Sequence, residues 1–479
     1  MAQQRQVPTD TAIITQHQIQ ILGKNVKYEA HTGFIPLWNS KDEIIATINY
    51  TYYRRTDVKD VNTRPIMFSF NGGPGSAAVW MQVAYTGPKL LNIDDEGYPV
   101  QPYGIRDNPY SVLDVADLVF VNPVNTGYSR MVRNKEGELP DREQFFGVNE
   151  DARYLAEWMS TFISRNNRWE SPKYLIGESY GGTRVMALAH ELQERNWMYL
   201  NGVIMVSPAD YKVLRVGGPV SDALNLPYYT ATAWYHHRLP AELQNRDLTE
   251  ILPLAEEFAV NQLMPALARG GFLQDTQRAQ IAERIAHFTG LRADRVQQVN
   301  LVVTPSYFWK ELLRDTSGQT VGRLDSRYLG IDRMDAGMSP DYNAELSSWL
   351  HSFTPAINYY MRNDLKFVTD AKYNMFGDVH PWNFDGDNVR HNLRTAMAKN
   401  PYLKILIQSG YYDGATTYFQ GKYTMWQIDP SGKLSDRISF RGYRSGHMMY
   451  LRKEDLKLAT DDIRSFLQES SYTNKSAKY

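Results

Sequence analysis

The stretch Lys173-Tyr174-Leu175-Ile176-Gly177-Glu178-Ser179-Tyr180-Gly181-Gly182 reads as a strand that turns abruptly into a helix. Its first four residues suit a buried strand, and Thr183–Arg195 then carries Val185, Leu188, Ala189 and Leu192 at the three- and four-residue spacing of a helix face. A serine on such a turn, with glycine two positions to either side so that neighbouring backbone can approach, forms a nucleophile elbow. The helix start also directs backbone N–H groups and its positive dipole end at the serine. Gly-x-Ser-x-Gly alone arises by chance in a glycine-rich chain. The strand before it and the helix behind it make Ser179 a candidate nucleophile.

The same rhythm extends outward. Short apolar runs at Pro65–Phe70, Leu118–Val121, Tyr174–Ile176, Val203–Val206 and Leu403–Ile407 alternate with helix-like stretches, as in a mostly parallel sheet buried on both faces. Gln144–Ser164 is one such helix, with Phe145, Val148, Ala152, Leu155, Trp158, Met159 and Phe162 on one face. Residues 1–60, including Ile44–Tyr53, read as antiparallel strands leading into the sheet. Between about 215 and 380 the strand rhythm stops, and helical segments Pro253–Met264, Gln277–Phe288 and Tyr307–Leu313 take over, with Pro253 expected in a first helical turn. The expectation is an α/β core in two parts, 1–214 and 381–479, split by a helical cap at 215–380. A polar tail, Glu469–Tyr479, is expected to fray.

Composition removes several classes. Among 479 residues, 43% are hydrophobic and 22% charged, and cysteine is absent, so disulfides and cysteinyl zinc sites are excluded. Lys plus Arg number 52 against 53 Asp plus Glu, and this balance draws the molecule neither to nucleic acid nor to anionic lipid. No apolar run approaches the ~18 residues of a membrane span. MAQQRQVPTD lacks the apolar core of a secretory signal, which fits a chain that is intracellular or already processed.

A serine hydroxyl needs a base, and the base an orienting carboxylate. In α/β-hydrolases these follow in the order Ser, Asp or Glu, His, with the acid after a late strand. Asp413, in SGYYDG beyond Leu403–Ile407, fits the first place, with Gly410 and Gly414 allowing the turn. His447, in RSGHMMY between the strand-like Ile438–Tyr443 and the last helix Lys453–Glu469, fits the second. Every other histidine, His391 being the nearest, precedes Asp413 and breaks the order. Asn71-Gly72-Gly73-Pro74-Gly75-Ser76 follows an early strand, where this fold draws one oxyanion N–H. The other comes from the residue after the nucleophile, so Gly73 and Tyr180 are the candidate donors. A phosphate cradle is the weaker reading, because the GxxxxGK[ST] lysine pattern is missing.

NGGPGS, VNPVNTGYS at Val121–Ser129, GESYGG at Gly177–Gly182, SGYYDG at Ser409–Gly414 and GHM at Gly446–Met448 together resemble the serine carboxypeptidases, the carboxypeptidase C and cathepsin A-like group. The resemblance covers roughly residues 65–210 and 400–465. It is similar to bacterial members through DNPYSVLD at Asp107–Asp114 and the stretch Arg165–Leu175. It implies an α/β-hydrolase fold with a helical cap, and Ser179, Asp413 and His447 as triad. It also implies Asn71 and Glu178 as ligands of the substrate's C-terminal carboxylate, peptides with a free C-terminus as substrates, no metal or cofactor, and export after signal removal. A cysteine-free chain equally suits the cytoplasm, and monomer and homodimer both stand. Four departures bear on substrate preference: Ser69 replaces a usual tryptophan, Asn122 and Asn125 replace the Asp and Gly of DPVGTG, Ser76 replaces a cysteine, and Tyr450 stands where a proline often follows the histidine loop.

Two carboxylates cannot share a hydrogen bond while both are ionised, so Glu178 facing a peptide carboxylate must hold a proton. His447 must meanwhile stay neutral to act as base. If its pKa is low in the complex, the optimum is acidic. A serine esterase or acyltransferase would use the same triad without needing Glu178, and a silent binding protein would need neither. Tyr307, Phe308, Trp309 and Tyr359 are candidate linings for an apolar pocket, against the plainer reading that they are cap core.

Overall fold

The computed structural model describes residues 7–209, 218–471 and 476. Ten strands form one sheet: β1 (Thr11–Ile21), β2 (Lys24–Trp38), β3 (Ile44–Arg55), β4 (Ile66–Phe70), β5 (Asp117–Val121), β6 (Arg130–Met131), β7 (Lys173–Glu178), β8 (Gly202–Val206), β9 (Lys404–Gly410) and β10 (Ile438–Tyr443). Their order is β1-β2-β3-β5-β4-β7-β8-β9-β10, with β6 on β3. β1, β2, β3 and β5 pair antiparallel, whereas β5, β4, β7, β8, β9 and β10 run parallel.

The two-residue alternation of a strand explains why the parallel part is apolar throughout. Phe68, Val119, Leu175, Val203, Met205, Ile405 and Ile407 face the helices Val148–Arg165, Tyr180–Arg195 and Val389–Lys399. Met67, Leu118, Phe120, Ile176, Ile204, Val206 and Leu406 face the other way, toward Lys453–Ser470 and Ala344–Tyr359. Most strand ends fall within a residue or two of expectation. The first helix starts later than Gln144 because residues 142–144 form a separate 3-10 turn.

No strand joins the central sheet between Val206 and Lys404 among the described residues. That region holds helices including Leu226–Tyr235, Leu248–Phe258, Asp275–Thr289 and Pro305–Glu311, whose apolar faces form their own cluster. Pro253 is not in a first turn. Asp247 caps the helix by accepting Thr249 N–H at 2.9 Å, so the helix starts at Leu248 and Pro253 lies inside it. Farther on, Trp349, Phe353, Ile357, Tyr360 and Phe367 join the core cluster instead of the cap cluster. Hydrophobic packing therefore divides the insertion. The expected boundary at 214/215 lies outside the described residues. At the C-terminus Glu469 and Ser470 close the last helix, and Tyr174 Oη lies 2.9 Å from Ser470 Oγ; most of the tail after them also lies outside the described residues.

Candidate active site

Ser179 sits between β7 and the helix that begins at Tyr180, with φ 60° and ψ −124°. A non-glycine residue in that region costs about 1–3 kcal/mol. The turn is held from three sides: Ser179 N–H donates to Val206 O at 3.0 Å, and its carbonyl accepts Gly182 N–H at 2.8 Å and Ala209 N–H at 3.0 Å. A Cβ on Gly177 would lie 2.1 Å from Gly181 O, which explains the glycine before the nucleophile. The loop after β4 comes close enough that a Cβ on Gly72 would lie 2.5 Å from Tyr180 N. Gly73, with φ 107°, lines the same cavities as Ser179. The two candidate oxyanion donors, Gly73 and Tyr180, thus belong to adjoining turns beside the serine.

The loops after β9 and β10 bring Asp413 and His447 together. His447 Nδ1 lies 2.7 Å from Asp413 Oδ2, and both residues are buried. Asp413 Oδ1 accepts N–H bonds from Ala415 at 2.8 Å and Thr416 at 3.1 Å, which fixes the carboxylate. Thr416 Oγ1 is 2.7 Å from Asp413 Oδ2 and 2.9 Å from Ser207 O, so its single proton serves one of the two. Ser179 and His447 face one cavity. Gly410 and Gly414 act by close approach rather than by positive φ: a Cβ on Gly410 would lie 2.1 Å from Gly446 O.

Glu178 and Asn71 meet directly, with Asn71 Nδ2 donating to Glu178 Oε1 at 3.2 Å. Asn71 O accepts from Arg184, whose Nε donates to buried Asp151 at 2.6 Å, so an ion pair braces the loop. Tyr450 Oη donates to the other carboxyl oxygen of Glu178, and its ring stacks on Tyr85 at 4.5 Å. Burial pushes the Glu178 pKa up to about 7, against the pull of His447 and of the Tyr450 and Asn71 hydrogen bonds, with Asp413 adding to the rise. For His447 burial acts downward, but the Asp413 carboxylate and its hydrogen bond, with Glu178, carry the imidazole above its ordinary value. The expected acidic optimum requires His447 to be held low; in the free chain its shift runs the other way.

Two cavities meet at Ser179. The larger, about 320 Å³, is lined by Met186, Met205, Ser221, Gln420 and Met425 among others. The smaller, about 200 Å³, contains Glu178 and His447 and has Trp80, Trp349, Phe376 and Met448 in its walls. The expected aromatics are elsewhere. Tyr307 and Phe308 are buried in the cap cluster, Trp309 bonds Tyr228 Oη at 2.9 Å, and Tyr359 is 57% exposed. Arg323 and Leu324 line both cavities. Sequence reading missed Arg323, Thr416 and the role of Tyr450; of these only Tyr450 carried a signal, as a departure from the family text. Among the described residues no group of three or more His, Asp or Glu could hold a metal, and no helix is long and apolar enough to cross a membrane.

The family model for serine carboxypeptidases matches residues 22–435. Curated relatives include serine carboxypeptidase-like 22 of Arabidopsis thaliana, 29% identical over 197 residues, which is 39% of this chain and 39% of that protein. Serine carboxypeptidase-like 27 of the same plant is 24% identical over 51% of this chain and 49% of its own length. The match to these relatives thus spans about two fifths to one half of their length. Among solved structures, the prohormone-processing carboxypeptidase Kex1Δp of Saccharomyces cerevisiae superposes with a TM-score of 0.57 at 15% identity over 92% of both chains, a likeness of fold.

Proposed function

The chain belongs to the serine carboxypeptidase family, and on that premise we propose that it releases single amino acids from the C-termini of peptides. The observation that carries this reading is the Asn71–Glu178 contact immediately beside Ser179, since simple acyl transfer has no use for a buried carboxyl group there. In the proposed mechanism the free carboxylate of the peptide meets Asn71 and protonated Glu178, which sets the last peptide bond over Ser179 Oγ. The released residue occupies the smaller, aromatic-walled cavity and the acyl residue the larger one.

His447, oriented by Asp413, takes the serine proton as Oγ attacks the carbonyl carbon. Negative charge on the carbonyl oxygen is met by the Gly73 and Tyr180 N–H groups, each donor worth on the order of 3 kcal/mol. The C–N bond then breaks, and the leaving amine takes the proton from His447. Water, deprotonated by the same imidazole, hydrolyses the acyl-enzyme and returns the proton to Ser179. We place activity at acidic to neutral pH, where Glu178 keeps its proton. On the acid side this requires bound substrate to lower the His447 pKa, which the free chain holds above its ordinary value. We place the enzyme in an exported compartment, which cell fractionation tests.

The deciding experiment is amino acid release from N-blocked dipeptides and their C-terminally amidated counterparts by wild type and Ser179→Ala. Release that disappears in the variant and drops steeply on amidation is expected. Equal turnover of amidated or ester substrates would overturn the carboxypeptidase reading in favour of an esterase or acyltransferase.

A further inference from the structure

Among the described residues lining the two cavities, only Glu178, His447 and Arg323 have ionisable side chains, and of these only Arg323 lines both. Its backbone is immobilised: Arg323 O accepts Gly414 N–H at 2.9 Å, while the next residue donates to Glu345 Oε1 at 2.8 Å and accepts His447 N–H at 2.6 Å. A fixed main chain limits where the guanidinium can reach. The side chain is exposed and makes no hydrogen bond or ion pair with another described residue. Its charge is felt at His447, whose pKa it lowers. The residue thus borders the space in front of Ser179 from both cavities.

A guanidinium is a rigid fork of donors matched to carboxylate geometry, and one without a partner among the described residues, beside a substrate cavity, is suited to recognise an anion. Under the carboxypeptidase reading, on which this inference rests, the terminal carboxylate of the substrate is already held by Asn71 and Glu178. A second carboxylate must then come from a side chain. The larger cavity, where Arg323 has Ser221, Thr416, Gln420 and Thr424 as polar neighbours, offers it room, whereas the smaller one is walled by Trp80, Trp349 and Phe376. We propose that Arg323 is a specificity-determining residue that selects peptides whose acyl-side residue, the one retained after cleavage, is Asp or Glu.

The test compares kcat/KM for N-blocked Glu-Phe and Gln-Phe, and for N-blocked Phe-Glu and Phe-Gln, at pH 6. There a substrate glutamate side chain is ionised and Glu178 keeps its proton. Wild type is expected to favour Glu-Phe over Gln-Phe by about tenfold, the worth of one partly exposed charge-assisted pair. Arg323→Gln should bring that ratio to about one, with Arg323→Lys in between. Because each ratio is taken within one enzyme, a general loss of activity cancels, and fluorophosphonate labelling of Ser179 verifies that the variant is folded. A wild-type ratio near one, a ratio that survives Arg323→Gln, or an Arg323-dependent preference confined to the Phe-Glu pair would overturn the proposal. Failure of wild type to release phenylalanine from either Glu-Phe or Gln-Phe would instead overturn the carboxypeptidase reading beneath it.

Discussion

Replacing Glu178 by glutamine keeps the shape and a hydrogen bond for a substrate carboxylate while removing the proton equilibrium. In the wild type the carboxyl group titrates at about 7. About nine tenths of the enzyme carries the proton at pH 6 and about one hundredth at pH 9. Once ionised, Glu178 repels the peptide carboxylate, so peptide kcat/KM of the wild type should fall about tenfold per pH unit on the alkaline side. The Glu178→Gln variant has no such limb. The ratio of variant to wild-type kcat/KM is therefore expected to rise about 90-fold from pH 6 to pH 9, the quotient of the two protonated fractions. Because Glu178 helps raise the His447 pKa, the variant's acid limb moves to lower pH, which raises the ratio at pH 6 and makes the rise toward pH 9 smaller. The assay is initial-rate release of phenylalanine from an N-blocked dipeptide across that range, with the amidated peptide as a substrate that lacks the carboxylate. A ratio that changes less than about threefold would refute the protonated-Glu178 argument.

Tyr450→Phe removes the hydroxyl bonded to Glu178 Oε2, a contact that lowers the Glu178 pKa. The alkaline limb for peptides should therefore move upward, by on the order of one pH unit for one lost hydrogen bond, as a pH–rate profile would show. Gly177→Ala would set a Cβ 2.1 Å from Gly181 O; the elbow must shift, costing about 1–3 kcal/mol or more, seen as a lower midpoint in urea unfolding and loss of fluorophosphonate labelling. Phe376→Ala opens one wall of the smaller cavity at a side chain already 50% exposed. The preference for releasing phenylalanine over alanine should drop about fivefold, corresponding to roughly 1 kcal/mol of lost apolar contact, while acyl-side preferences stay in place.

How much of this was legible depended on how local the signal is. The strand–elbow–helix unit needs only near neighbours, so Ser179, β7 and its helix emerged from one short stretch. Asp413 and His447 lie far from it in sequence, yet each follows a recognisable strand, and the order of the parts located them. Pro253 misled because proline is compatible with a first turn, while the stronger start signal was the Asp247 cap upstream of it. The pocket aromatics were misassigned because an amphipathic helix shows which residues are apolar without showing what they face. Tyr307 and Phe308 point into the cap cluster, and the cavity is walled instead by Trp80, Trp349 and Phe376, from three separated segments. Nothing in the local pattern around Arg323 announces its position; only the fold, by laying that segment against two triad loops, gives it one.

That last placement changes how the insertion should be understood. Leu324 O receives His447 N–H at 2.6 Å, Arg323 O receives Gly414 N–H at 2.9 Å, and Ser326 N–H donates to Tyr412 O at 3.0 Å. Asp325 and Arg327 form a buried ion pair at 2.6 Å, and Arg327 reaches Ser445 Oγ at 3.1 Å, on the loop that carries His447. The loops that carry the acid and the base therefore complete part of their backbone hydrogen bonding with the insertion, beside the bonds of Tyr411 N–H to Tyr443 O and of Ser207 Oγ to His447 O. Leaving such buried groups unpaired costs about 1–3 kcal/mol each. In the proposed mechanism the insertion is thus part of the catalytic frame: the sheet sets where Ser179 stands, and the segment from Arg323 to Arg327 braces the loops that carry Asp413 and His447.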